Sequence, residues 1–127
     1  MGQDWEYFSY DELKCTCCDE APMRDDFLHM LIAIREEFDR PMIITSAFRC
    51  ASYNSKIGGA KNSPHLHGAA VDVAVNYKDA YDLIGIALQH GMTGIGIKQK
   101  GSPSGRFIHH DNMMASETRP RPTVWSY

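Results

Sequence analysis

Hydrophobic spacing predicts two long helices in this chain. From Arg24 to Phe38 the apolar residues recur every three or four positions, at Phe27, Leu31, Ile34 and Phe38. From Tyr77 to His90 a second apolar stripe is formed by Tyr81, Ile84 and Leu88. Such spacing places the apolar side chains on one face of a helix. Pro41 prevents the first helix from continuing, and Gly91 is expected directly after the end of the second.

Shorter apolar segments predict strands. Met42–Thr45 is a buried run, and Gly94–Lys98 with Arg106–Asp111 forms a predicted hairpin around a turn rich in glycine and serine. Ala70–Val75 alternates, with its valines on one face. Asp72 therefore points away from the valines, which is an unusual place for a carboxylate unless something pairs with it.

The remaining segments complete the predicted fold. Ser9 and Glu12 have the spacing of a capping box, which predicts a short helix at this point. Residues 51–68 are predicted as a long loop, and such loops in compact domains are usually functional. The proline-rich C-terminus is predicted to be extended and to dock through Trp125 and Tyr127. Helices packed with a small antiparallel sheet predict an α+β fold.

Size and charge narrow the function classes. A chain of 127 residues predicts a single domain over residues 1–127. The net charge is -3 and no long basic run occurs, so nucleic-acid binding is not predicted. The longest nearly apolar run, Leu83–Leu88, is too short to span a membrane. The N-terminus lacks the pattern of a signal peptide. We expect a monomer made in the cytoplasm, which would leave the cell by lysis or as part of a larger particle.

Four cysteines suggest a smaller feature. Cys15, Cys17 and Cys18 resemble half of a metal-binding knuckle, but only Cys50 remains where a second pair is usual. The sequence therefore favours buried thiols, or a pair formed between Cys50 and the others, over a second metal site.

A second cluster of side chains carries the candidate chemistry. His65 lies just before a predicted strand, Asp72 lies on that strand, and His109 lies on another. Two imidazoles and a carboxylate are a ligand set that suits Zn²⁺ with one position left open for water. The same residues would also suit an ordinary polar surface, and spacing alone does not decide between the two.

The motif around these residues resembles that of the M15 family of zinc D-Ala-D-Ala carboxypeptidases and related murein peptidases. The segment 63–72 has the form Ser-x-His-x-x-Gly-x-Ala-x-Asp, and Ile44–Arg49 resembles the strand of the family that ends in Ser-Gly-Tyr-Arg. Residues 53–60 resemble its following loop, and 94–97 with 106–109 resemble its last hairpin. The two ends of the chain are similar to phage and prophage members.

The resemblance implies a fold, a cofactor and a reaction. The fold is that of the Hedgehog and D-Ala-D-Ala peptidase domains. The cofactor is zinc, held by His65, Asp72 and His109, because the family pattern Phe-(Val or Ile)-His-x-Asp selects His109 over His110. The reaction is attack of water on a peptide bond of a peptidoglycan stem peptide, by a carboxypeptidase or an endopeptidase. A zinc amidase acting on another substrate is a further possibility.

Roles for three other residues are also expected. The resemblance places Arg49 near the substrate, where its planar fork would stabilise the oxyanion, although it could instead pair with a structural acid. Ser63 would bind substrate backbone or hold its own loop. Asp111 is the candidate general base, or else a partner that orients the imidazole of His109.

The general base is the point at which the chain departs from many relatives. They carry a Glu three residues before the last ligand or a His two before it, where this chain has Arg106 and Phe107. Glu117 and His110 are further candidates beside Asp111. These unfilled positions motivate an alternative function, a cell-wall-binding or phage structural module that has lost catalysis.

Overall fold

The fold is a five-stranded sheet with its helices, seen in a computed structural model that describes residues 3–127. The helices are α1 (Tyr10–Leu13), α2 (Asp25–Phe38), α3 (Ala51–Lys56) and α4 (Tyr77–Gln89). The strands are β1 (Ile43–Ser46), β2 (Ala70–Ala74), β3 (Gly94–Lys98), β4 (Phe107–Asp111) and β5 (Thr123–Ser126). Single turns of 3₁₀ helix cover Pro64–His67 and Pro103–Gly105. The α+β prediction is confirmed.

The strands lie in the order β1-β2-β4-β3-β5. The first three neighbouring pairs are antiparallel, as predicted, but β5 pairs with β3 in parallel. The C-terminal segment therefore does more than dock, because it adds an edge strand whose side chains alternate across the same two faces as the rest of the sheet.

One face of the sheet forms the hydrophobic core with α2 and α4. Phe27, Leu31 and Ile34 of α2 are fully buried, as the helical spacing predicts. Val71 and Val73 of β2 and Ile108 of β4 meet them from the sheet, and all three have no exposed surface. Because strand side chains alternate, the residues between these apolar positions lie on the opposite face.

Two local predictions have different outcomes. The capping box is confirmed, since Ser9 Oγ accepts from the Glu12 amide and the Glu12 carboxylate accepts from the Ser9 amide. The prediction of a continuous loop over residues 51–68 is wrong, because residues 51–56 form α3. The serines and asparagine of this segment favoured a loop, but the helix begins at Ala51 after the N-cap residue Cys50, whose sulfur accepts from the Tyr53 amide.

Candidate metal centre

The face of the sheet opposite the core brings Asp72 and His109 together. The two residues are directly paired between β2 and β4, so their side chains project from the same face. Neighbouring strands extend this row, with Ser46 beside Asp72, Gly96 beside His109, and Trp125 beside Gly96. The valine alternation that sent Asp72 away from the core therefore directs it into this row.

His65 reaches the same place from the 3₁₀ turn before β2. Ser63 begins the turn, and its hydroxyl accepts a hydrogen bond from the His65 amide at 3.2 Å. Gly68 ends it in the left-handed conformation, with φ of 65°, where a Cβ would also collide with the backbone oxygen of Pro22. Ser63 and Gly68 thus fix the turn that brings the side chain of His65 next to Asp72 of β2.

Three candidate ligand atoms converge at this point. Asp72 Oδ1 lies 3.3 Å from His65 Nε2 and 3.1 Å from His109 Nδ1. Ligands bonded at 2.0–2.2 Å around a tetrahedral ion lie about 3.3–3.6 Å apart, so the observed spacing is close to that of a zinc corner. The side chains of all three residues are buried, with His65 and His109 each 2% exposed.

Hydrogen bonds on the far side of each ring determine which nitrogen faces the centre as a ligand. His65 Nδ1 lies 2.6 Å from the Ala47 carbonyl oxygen, which only accepts, so Nδ1 carries the proton and Nε2 offers a lone pair. His109 Nε2 lies 2.7 Å from Asp111 Oδ2 and donates to it, which leaves Nδ1 free. Each imidazole is thus held by a second partner in the manner of metal-binding histidines.

The arrangement favours a cation. In the tautomers set by the Ala47 carbonyl and Asp111, two imidazole lone pairs and an ionised carboxylate face one another, and lone pairs at such distances repel. Without a metal, the repulsion is relieved by protonation, and the carboxylates of Asp111 and Asp72 raise the pKa of His109 against the opposing effect of burial. Burial also raises the pKa of Asp72, but hydrogen bonds from His109 and His65 outweigh it and hold that pKa far below its usual range. The residues present therefore fit a divalent ion that prefers nitrogen and oxygen ligands.

A pocket opens above the three candidate ligands. One wall is formed by the small residues of 58–60 together with Ser63 and Pro64, and the other by Phe107, Trp125 and Tyr127. Arg49 also lines it. Apart from Asp72 itself, the described residues that line this pocket include no carboxylate.

Comparison with known proteins agrees with this geometry. The sequence model of the Peptidase M15 family matches residues 6–111. The chain belongs to the peptidase M15 family. A curated relative, the zinc D-Ala-D-Ala carboxypeptidase of Streptomyces albus G, is 37% identical over 57 residues, which is 45% of this chain. The match spans only 22% of that relative. The family predicted from the motifs is confirmed, and the predicted zinc metallopeptidase class agrees with both comparisons.

In this M15 peptidase chain, Arg49 is positioned beside the ligands. Its guanidinium lies 3.5 Å from Asp72 Oδ2, and its Nε donates to Ser46 Oγ at 3.1 Å. Its Nη1 donates to Asn54 Oδ1 at 3.3 Å, and the Asn54 amide group in turn donates to the Ala60 carbonyl at 2.8 Å. Arg49 therefore pairs with an acid, as one alternative expected, and it also lines the pocket.

Asp111 lies behind His109, on the side away from the pocket. It has no exposed surface, and both of its oxygens accept from the Arg121 guanidinium, at 3.0 and 2.9 Å. Burial raises the pKa of Asp111, but hydrogen bonds from His109 and Arg121 outweigh this and lower it to about 2. Because hydrogen bonds from His109 and Arg121 occupy the carboxylate of Asp111, it cannot reach a water in the pocket. Its position fits the alternative role of orienting His109.

The other candidate bases also lie away from the pocket. His110 is fully buried on the core face, with its ring centroid 6.4 Å from that of Phe27, and burial lowers its pKa to about 3. Glu117 is exposed between Met113 and the C-terminal strand and does not line the pocket. His67, which is not one of these candidates, lies at the surface, with Nε2 3.0 Å from Asn62 Oδ1.

The pocket contains aromatic residues to which the sequence analysis gave no functional role. The Trp125 ring lies 5.0 Å from that of His109, and the Tyr127 ring lies 5.0 Å from that of Phe107. Burial raises the pKa of Tyr127, so its hydroxyl stays protonated and can donate. The positions of Trp125 and Tyr127 depend on the parallel pairing of β5 with β3, a non-local contact without a sequence signal.

Within residues 3–127, none of the helices has the length and hydrophobicity needed to span a membrane.

Proposed function

We propose that this chain is a zinc-dependent peptidase that cuts peptide bonds in peptidoglycan stem peptides, with zinc held by His65, Asp72 and His109. The observation that carries the proposal is the convergence of three acceptor atoms, 3.1–3.3 Å apart where measured, at the floor of an open pocket. Zinc, when bound there, supplies an acidified water and polarises the scissile carbonyl. The remaining chemistry belongs to the side chains around it.

Arg49 would stabilise negative charge that develops on the scissile carbonyl oxygen. Its guanidinium faces the pocket while Ser46 and Asn54 hold it from behind. A donor fixed in advance stabilises a transition state without having to reorganise. Tyr127, which keeps its proton, is placed to donate a second hydrogen bond to the substrate. Ser63 uses its hydroxyl to hold the turn of His65, which favours the structural alternative for that residue.

Asp111 acts in this proposal as a positioning residue. By accepting from His109 Nε2, it holds the imidazole in the tautomer that leaves Nδ1 free for metal. Arg121 keeps Asp111 ionised and in place. The proton of the attacking water would then pass to solvent, because the described lining of the pocket holds no carboxylate other than the proposed metal ligand Asp72.

The substrate class rests on the relative named as a D-Ala-D-Ala carboxypeptidase. The pocket suits a short peptide. Phe107 and Trp125 offer apolar surface to methyl-bearing residues, and Arg49 offers a cation to a carboxylate or a carbonyl oxygen of the substrate. The same pocket would accept an internal bond of the stem peptide, so an endopeptidase remains within the proposal. Action on the cell wall, after lysis or as part of a phage particle, belongs to the same proposal.

A second function is favoured by one observation, the lack of a free carboxylate in the described lining of the pocket. A domain with zinc but without an efficient base would bind murein without cutting it. This cell-wall-binding alternative predicts retention of zinc and of murein affinity with no release of product.

The test uses two substrates and one matched pair of variants. Purified protein loaded with zinc is incubated with a synthetic stem pentapeptide ending in D-Ala-D-Ala and with intact murein, and the products are identified by mass. Release of D-Ala indicates a carboxypeptidase, and new internal amino termini indicate an endopeptidase. His65→Ala should abolish release, whereas His67→Ala, two residues away at the surface, should retain it. No product from either substrate, with zinc bound, would reject the peptidase proposal in favour of the binding module.

A further inference from the structure

All four cysteines of the chain meet at one place outside the candidate metal centre. Cys15, Cys17 and Cys18 follow α1, and Cys50 precedes α3. Their sulfur atoms all lie within 4.8 Å of one another. Cys17 is exposed and only Cys15 is fully buried, so the expectation of buried thiols is wrong for Cys17.

Two of three sulfur separations are close to those of a tetrahedral metal site, and the third is shorter. Cys15 Sγ lies 3.7 Å from Cys17 Sγ and 3.6 Å from Cys50 Sγ, and Cys17 Sγ lies 3.2 Å from Cys50 Sγ. Four sulfurs bonded at about 2.3 Å to one tetrahedral zinc ion are separated by about 3.8 Å. A set made only of thiolates selects zinc or another soft ion over magnesium and calcium.

The surrounding backbone suits thiolates. The Cys50 amide donates to Cys15 Sγ at 3.4 Å, and the Tyr53 amide donates to Cys50 Sγ at 3.5 Å. Such N–H groups orient sulfur ligands and stabilise their negative charge. The first three ligands come from a tight loop in which the Cys15 amide donates to the Glu20 carbonyl at 2.8 Å.

We propose that Cys15, Cys17, Cys18 and Cys50 hold a second, structural zinc ion, separate from the ion of the candidate metal centre. A fully coordinated site of this kind has no open position for water, so it takes no part in the reaction. Its consequence is mechanical. It ties the segment after α1 to the residue that directly follows Arg49, and a backbone hydrogen bond from the Phe48 amide to the Leu13 carbonyl, at 3.2 Å, joins the same two segments.

The competing outcome is a disulfide. The shortest of the three separations given above, between Cys17 and Cys50, is the one that oxidation would close. A Cys17–Cys50 bond would leave Cys15 and Cys18 as free thiols, whereas the zinc site uses all four sulfurs.

Metal analysis of the full chain distinguishes these outcomes without reference to activity. Protein purified with zinc under reducing conditions should contain two zinc ions per chain. His65→Ala/His109→Ala should keep one, and Cys17→Ser/Cys18→Ser should keep the other. Thr16→Ala, a change of an exposed residue in the same loop, should keep both.

A spectrum identifies the ligands and does not require that any cysteine variant folds. The His65→Ala/His109→Ala protein loaded with Co²⁺ should show intense sulfur-to-cobalt charge-transfer absorption. Zinc-free His65→Ala/His109→Ala protein with four titratable thiols would overturn the proposal. So would a mass lower by one pair of hydrogens, which would show the disulfide. Failure of the candidate metal centre would instead remove zinc from that centre alone and leave this spectrum unchanged.

Discussion

Arg121 donates two hydrogen bonds to Asp111, from Nε to Oδ1 at 3.0 Å and from Nη2 to Oδ2 at 2.9 Å. The pair is buried, with side-chain exposures of 7% and 0%. It connects the C-terminal segment to His109, because Asp111 Oδ2 also accepts from the imidazole. Arg121 thus fixes the carboxylate of Asp111, and Asp111 in turn holds the candidate metal ligand His109.

Asp111→Asn should weaken zinc binding and stability together. Removing one partner of a buried ion pair leaves Arg121 uncompensated and costs about 3–5 kcal/mol. Loss of the carboxylate behind a metal-binding histidine lowers metal affinity about 10–100-fold. Zinc competition titration and urea unfolding measure the two effects, with the exposed Asp11→Asn as control. If Asp111 were the general base, zinc affinity would stay unchanged while kcat at saturating zinc fell by about 10²–10⁴.

Gly94→Ala should disturb the same pair by steric contact alone. A Cβ at Gly94 would collide with both oxygens of Asp111 and approach Arg121 Nε to 2.7 Å. We expect lower stability and weaker zinc binding, in the same direction as for Asp111→Asn. Gly85→Ala is the matched control, because nothing lies within 4 Å of a Cβ built there. In helix α4 that change should stabilise by about 0.5–1 kcal/mol, measured by urea unfolding. Equal effects of the two changes would contradict the close packing described here.

Arg49→Lys should lower kcat without loss of zinc. Lysine keeps the charge but lacks the planar fork that Ser46 and Asn54 hold. Removing a prearranged oxyanion donor costs about 10²–10³ in kcat. Steady-state kinetics with zinc analysis on the same samples checks this, and Lys56→Arg, at an exposed position of α3, serves as control. Unchanged kcat would show that Arg49 serves only to pair with Asp72.

His110→Phe should stabilise the protein, and increasingly so at acid pH. Neither ring nitrogen of His110 finds a hydrogen-bond partner among residues 3–127, and an unpaired buried polar group costs about 1–3 kcal/mol. Burial also lowers the pKa of His110 to about 3, from 6.5. The unfolded state therefore binds more protons between these values, so the wild-type protein loses stability as pH falls below about 6.5.

The difference between His110→Phe and wild type should thus widen from pH 7 to pH 4, by urea unfolding with zinc in excess. His29→Gln, which removes an exposed histidine, should show no such widening. A difference that is constant with pH would mean that folding does not shift the pKa of His110.

Local pattern was sufficient to predict most of the framework. The helical spacing located the bounds of α2 and α4 within a residue or two. The apolar stripe predicted for α4 is wrong, because Tyr81 and Leu88 are exposed and the buried residues are Ala80, Leu83 and Ala87. Alternation in Ala70–Val75 placed Asp72 on the face away from the valines. Alternation likewise separated His109 from His110, which the structure places on opposite faces of β4. These are short-range properties, and the sequence carries them directly.

Contacts between residues distant in the sequence could not be predicted from local patterns. Neither the parallel pairing of β5 nor the contact of Arg121 with Asp111 follows from any local spacing, and both decide what surrounds the metal centre. The two roles left open for Asp111 differ only in where the side chain lies relative to the pocket. Helix α3 was missed because its six residues include serine and asparagine, whose weak helix propensity is outweighed by the cap at Cys50.

A zinc-edge anomalous difference map from a crystal of the zinc-loaded protein shows directly whether His65, Asp72 and His109 bind zinc. We expect a peak about 2.0–2.2 Å from His65 Nε2, Asp72 Oδ1 and His109 Nδ1, facing the pocket that Arg49 lines. A map with signal only among the cysteines, or with none at these three residues in zinc-loaded protein, would contradict it.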